Sequence, residues 1–225
     1  MPRDTLDRQI QHVQDEVLLL GSMVEQAMLE AVNALKSQDV DTAKRIFKND
    51  RLINEKRYAI ENAILILIAT QQPMARDLRK LAAILEVITE LERMGDYAKG
   101  IAKVTQRLGD TVIISNMRDF VAMGETSVDM LHRAMGAFFA ENAQLAYDIP
   151  KEDKTVDELY NKVYRIVVAH MIANPDSIDL ANNLMWVAHN IERMADRVTN
   201  ICERTVFIAT GELLEMDIDD DEEDE

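Results

Sequence analysis

Two acid pairs written four residues apart give the first hint of chemistry: Glu92 and Asp96 in "LERMGDYAKGI", and Glu192 and Asp196 in "IERMADRVTNI". Four-residue spacing stacks both carboxylates on one helix face, about one turn apart. Like charges so placed cost a few tenths of a kcal/mol in an isolated helix, and Gly95 inside the first copy costs roughly 1 kcal/mol relative to alanine. Two local penalties in one motif mark a candidate site. A partner pair lies upstream in each copy: Asp153 with Asp157 in one, Asp50 with Asn54 in the other. Packed side by side, such helices would bring four oxygen-bearing side chains together per copy. A set of hard oxygen ligands, with no thiolate and no close His pair, favours Mg, Mn, Ca or iron over a structural tetrahedral zinc. The same acids also suit a solvated helix face, and spacing alone leaves both readings open.

The elements that must position these acids are long helices. Only 7 Gly and 4 Pro interrupt 225 residues, and helix-forming residues fill the spans between them, so the fold class is all-α. In the first helix Leu6, Ile10, Val13, Val17, Leu20, Val24, Ala27, Ala31 and Ala34 alternate steps of four and three, a bundle seam. The pattern breaks at "SQDVD", resumes to about Thr70, and stops at "TQQPM", where Pro73 suits the first turn of a third helix reaching about Gly109. The order then recurs: a helix over about 116–140, another over about 142–173, and a last one from "NPDSID" to near Gly211. Glu192 follows Glu92 by 100 positions, and Pro175 and Asp179 answer Pro73 and Asp77. The chain therefore reads as two tandem, pseudo-symmetric three-helix bundles, residues 1–112 and 113–212, followed by an acidic tail, 213–225, too charged to pack.

Composition narrows the function. The formal net charge is −16, and "DIDDDEEDE" closes the chain, so nucleic acid and anionic membrane surfaces are poor partners. A single Cys202 forms no intrachain disulfide, and the start "MPRDTLDRQI" lacks an apolar signal core, which points to a reducing cytoplasm. The longest apolar run, Ala63 to Ala69, is too short to cross a bilayer. The chain reads as soluble, peripheral to a membrane only through protein partners. There is no Gly-x-Ser-x-Gly, phosphate loop or His-Cys arrangement, so a non-enzyme is expected. Arg93 and Arg193 suit salt bridges, Asp77 suits the first-turn dipole, and His189, one turn before Glu192, suits either a packed side chain or a site member.

The paired "LERMGDYAKGIAK" and "IERMADRVTNICE", the "QQPMARDLRK" ahead of the first, and the "DRLIN" and "DKTVD" segments together resemble the PhoU family of bacterial phosphate-transport accessory and regulatory proteins, over residues 5 to 211. The resemblance implies a dimer of paired three-helix bundles whose Glu/Asp-x-x-x-Asp motifs bind divalent or iron ions (Fe, Mg, Mn or Zn), as multinuclear clusters in some members. Carried over, Asp50, Glu92 and Asp96 would line one site, and Asp153, Asp157, Glu192 and Asp196 the other. Asn54, and Lys103 where the second copy has Glu203, weaken the first. The implied role is regulatory: an adaptor linking the ATPase of the phosphate ABC transporter to the sensor histidine kinase, a negative regulator of the phosphate regulon when phosphate is ample. The alternative is a carboxylate-bridged metalloenzyme or metal-handling protein. A ferroxidase would need Glu-x-x-His motifs, which the sequence lacks.

Overall fold

The computed structural model describes residues 2–109 and 117–216. They form α1 (Pro2–Ser37), α2 (Val40–Gln71), α3 (Arg76–Leu108), α4 (Arg118–Ala140), a short α5 (Ala143–Asp148), α6 (Asp153–Ala173) and α7 (Ile178–Thr210), with no strand among the described residues. The expected connection between the units, "GDTVIISN", lies outside the described residues except for Gly109, and so does the boundary placed at residue 112. Of the expected tail, residues 213–216 are described. Leu213 and Leu214 are exposed, and the Met216 backbone N–H donates to Glu203 Oε1 at 2.9 Å. The remaining tail lies outside.

The α1 seam is buried as its apolar steps require, with one drift: Met28 and Leu35 are fully buried while Ala27 is only partly so. A straight helix of 3.6 residues per turn outruns a strict 3.5 repeat, so the buried stripe moves on by one position along 36 residues. A window within Asp4–Ser37 is apolar enough by composition to span a bilayer, and 44% of it is buried in the fold.

Caps set the helix ends. Asp39 opens α2 by accepting from the backbone N–H of Asp41 and Thr42 at 3.1 and 2.9 Å, and these bonds hold its pKa below the usual value. Gln72, in the left-handed region at φ 47°, closes it. Pro73 does not sit in the first turn of α3, because the helix begins three residues later at Arg76, after Ala75 at φ 49°. In the second half, Pro175 does open the short 3-10 turn that leads into α7. The single helix expected over 142–173 is broken: Asn142 caps α5, a 3-10 turn takes Ile149–Glu152, and α6 starts at Asp153. Pro150 has no N–H for the i→i−4 ladder and separates the two pieces.

Helices α1, α2 and α3 pack on one another, as do α4, α6 and α7. The two sets also pack together through α1 with α4 and α3 with α7, burying one continuous core. Both joints are antiparallel. Gly21 faces Met135 and Gly124 faces Val32 across α1–α4, while Arg107 meets Asn183 and Arg204 meets Glu86 across α3–α7. Phe138, 1% exposed, is among the largest side chains in this shared core. Phe138→Ala is expected to cost about 3–5 kcal/mol, and urea unfolding followed by fluorescence and by circular dichroism should show one coincident transition for both halves, shifted to lower urea.

Candidate functional site

Helix α3 presents the first acid pair and α2 the upstream acid. Asp50 is buried, 5% exposed, and two side chains meet its carboxylate. Lys99 Nζ donates to Asp50 Oδ2 at 2.6 Å, Asn54 Nδ2 donates to the same oxygen at 3.1 Å, and Lys99 Nζ also stands 3.5 Å from Asp96 Oδ1. The lysine lies 5.8 Å over the Phe47 ring. Its hydrogen bond to Asp50 raises its pKa above the ordinary value despite partial burial. Glu92 is raised by burial first and by Asp96 next, and Arg57 opposes both. Arg57 itself bonds Glu61 at 2.9 Å. The first cluster thus holds two cations of its own.

The helices meet closely here because Gly95 has no side chain. A Cβ at that position would lie 3.1 Å from Ile53 Cδ1 and 3.2 Å from Ile53 Cγ2. The glycine counted at first as a penalty carried for a site is accounted for by helix packing.

The second cluster differs in its charges. Glu192 is raised by burial and then by Asp196; Asp196 is raised by burial and then by Asp157. Asp196 keeps an exposed tip, so water screens part of this repulsion. Where the first copy has Arg57 and Lys99, the second has Tyr160 and Thr199, both uncharged. Tyr160 is itself raised by burial and by Glu192. The nearest positive partner of Glu192 is His189, whose Nδ1 lies 3.0 Å from Glu192 Oε2, near enough for an ion pair when the ring is protonated. That oxygen is buried and receives no well-directed hydrogen bond. Asp153 lies one turn before Asp157, in the first turn of α6.

As these side chains stand, no three His, Cys, Asp or Glu residues among the described ones are close enough to hold one metal ion. The donor chemistry nonetheless separates the two clusters. Around Asp50, Glu92 and Asp96 the negative charge is met by Lys99 and Arg57, which leaves a cation little to do. Around Glu192 and Asp196 it is opposed by His189, and at Asp196 also by Arg193 and Arg197; the donors here are oxygens of the kind a hard cation takes. The thiol takes no part: Cys202 is buried, and burial pushes its pKa up to about 12. Glu203, compared earlier with Lys103 as a site difference, is tied to the Met216 backbone and Arg204, and Lys103 faces a separate cleft. The difference that matters is at positions 99 and 57, legible only by aligning the halves beyond the motif itself.

The arginines after the glutamates act in the joint. Arg93 stands 3.5 Å from Glu90, and the Arg193 guanidinium lies 5.3 Å over the Tyr97 ring. Beside them Arg197 donates to Tyr97 Oη and to Glu90 Oε2, both at 2.6 Å, and Asn200 donates to the same Glu90 oxygen at 3.3 Å. Tyr97 and Arg197 occupy equivalent positions of the repeat, so α3 and α7 cross about a local pseudo-two-fold axis.

The sequence and the fold both have close relatives. The PhoU domain model matches residues 17–105 and 120–205, one match in each half. The phosphate-specific transport system accessory protein PhoU homolog of Clostridium acetobutylicum is 32% identical over 217 residues, covering 96% of this chain and 99% of that protein. Its Escherichia coli counterpart, named PhoU, is 32% identical over 204 residues, covering 91% and 85%. The crystal structure of the phosphate transport system regulatory protein PhoU from Streptococcus pneumoniae superposes with a TM-score of 0.87 at 31% identity, covering 94% and 100%. PhoU from Pseudomonas aeruginosa gives 0.86 at 29% identity, covering 92% and 99%. With both halves matched, and identity sustained over nearly the whole chain, this protein belongs to the PhoU family.

Proposed function

We propose that this protein regulates phosphate uptake and phosphate-starvation signalling as an accessory protein of a phosphate-specific transport system. It works in the cytoplasm as a homodimeric adaptor between the transporter ATPase and the sensor histidine kinase, and holds the phosphate regulon off when phosphate is ample. The observation that carries this reading is the full-length match to proteins named as accessory to, or regulators of, phosphate transport. The fold suits the task without catalysis, since coupling needs only faces that bind partners unequally in different states.

The second unit holds the metal in this reading. Glu192, Asp196 and Asp157, with Asp153 one turn away, are the ligands, and a divalent or iron ion supplies the positive charge that the first unit draws from Lys99 and Arg57. Binding draws the acids closer than they now stand. The metal's contribution is charge neutralisation and rigidity between α6 and α7.

Three outcomes follow. Deleting the gene in its host should give constitutive phosphate-starvation gene expression in phosphate-rich medium, read with a phosphatase reporter and reversed by the intact gene; normal silence in rich medium would sink the regulatory role. Chelator-treated protein titrated with Mn²⁺ should bind through the second unit only: Asp196→Ala loses the bound metal measured by elemental analysis, and Asp96→Ala keeps it. In metal-free protein the raised pKa of Glu192 means that its ionisation costs stability, a cost absent below its unfolded pKa and complete above its folded one. Glu192→Gln should therefore raise the thermal midpoint at pH 7 and leave it nearly unchanged near pH 4, about where the unfolded carboxylate titrates.

A further inference from the structure

The α3–α7 crossing has two ends related by the internal repeat, and they differ in how their cations are paired. At the end near the C-terminus of α7, Arg204 Nε meets Glu86 Oε2 at 2.8 Å and Glu203 caps the Met216 N–H. The equivalent end, near the C-terminus of α3, is a cleft of about 650 Å³. Trp186 stands there in place of Glu86, Gly100 in place of Asn200, Lys103 in place of Glu203, and Arg107 in place of Phe207. No carboxylate lies within ion-pair distance of Lys103 or Arg107 among the described residues; Arg107 Nη1 donates instead to the neutral Asn183 Oδ1 at 3.0 Å. Two cations one helical turn apart, sharing their cleft with the single carboxylate of Asp179, stand out on a chain of net charge −16.

The cleft wall is as specific as its charge. A Cβ on Gly100 would lie 2.2 Å from Trp186 Cη2, so the indole rests directly on the α3 backbone. Any larger residue at 100 would push it off. Its other side reaches solvent, 45% exposed, which makes it a stacking platform for a flat ring. Asn183 is held in place, donating from Nδ2 to the Asp179 carbonyl at 2.7 Å, while Asn182 and Asp179 line the same cleft. The volume falls in the range of small-molecule sites.

We infer that this cleft binds a phosphorylated planar heterocycle, a nucleoside mono- or diphosphate, with its ring on Trp186 and its phosphate on Lys103 and Arg107. The site lies on the joint between the units and does not depend on the metal cluster or on the proposed regulatory role. Asn182 and Asp179 supply the amide and carboxylate that hydrogen-bond the ring edge.

The test is titration of the full-length protein with ADP, by calorimetry and by fluorescence of Trp186, the only tryptophan in the chain. Saturable binding is expected, weakening as salt rises. Lys103→Gln and Arg107→Gln should each weaken it roughly tenfold, with thermal midpoints near wild type because both side chains are exposed. Trp186→Leu, followed by calorimetry, should weaken it as well. Adenosine and pyrophosphate serve as separate arms, and each should bind more weakly than ADP. Pyrophosphate binding as tightly as ADP would overturn the ring platform. Absence of ADP binding at millimolar concentration, or binding indifferent to all three substitutions, would overturn the site.

Discussion

Everything in this molecule hangs on the antiparallel contact of α3 and α7, where two copies of one helix lie face to face. Each copy carries its acid pair on one side and must use another to join its twin. The join is made by unlike residues at like positions, an aromatic hydroxyl at 97 and a guanidinium at 197. Identical residues there would have set arginine against arginine or left two hydroxyls without a charged partner. Divergence between the copies is thus a condition for their packing: one helix became the acceptor strip, through Glu86, Glu90 and Tyr97, and the other the donor strip, through Arg197, Asn200 and Arg204.

The same divergence explains what could be read from the sequence. Helix class, the number of long helices and the break at Ser37 to Asp41 follow from apolar periodicity and turn chemistry, which are local. The acids were legible because the motif repeats. Pro150 was visible too, but a proline three residues before a strong helical run can begin, kink or interrupt a helix, and only packing decides which. Gly95 was misread for a related reason: its cost is local, while its benefit lies across the helix pair at Ile53. Lys99 and Arg57 were hidden because nothing about a lysine three residues after an aspartate announces that it reaches back to an acid on another helix.

Burial gives these substitutions their weight. A carboxylate as enclosed as Asp50 needs a compensating charge or hydrogen bonds, and removing one partner exposes the full desolvation penalty of the other. Lys99 and Asn54 supply both, within one turn of the motif that resembled a metal ligand set. The second copy has Thr199 and Tyr160 at those positions, and its carboxylates are raised by burial first and by one another next. The two motifs therefore share a raised glutamate and differ in its surroundings, with a lysine–aspartate pair beside one and a histidine beside the other.

That contrast gives the two halves different neighbours for the same kind of charge. A tethered ammonium is present at a fixed high local concentration; no chelator strips it and no shortage dilutes it. In the N-terminal half that tethered charge is Lys99, bonded to the buried Asp50. Because α7 is clamped to α3 through Arg197 and Arg204, neither half carries its charges in isolation from the other.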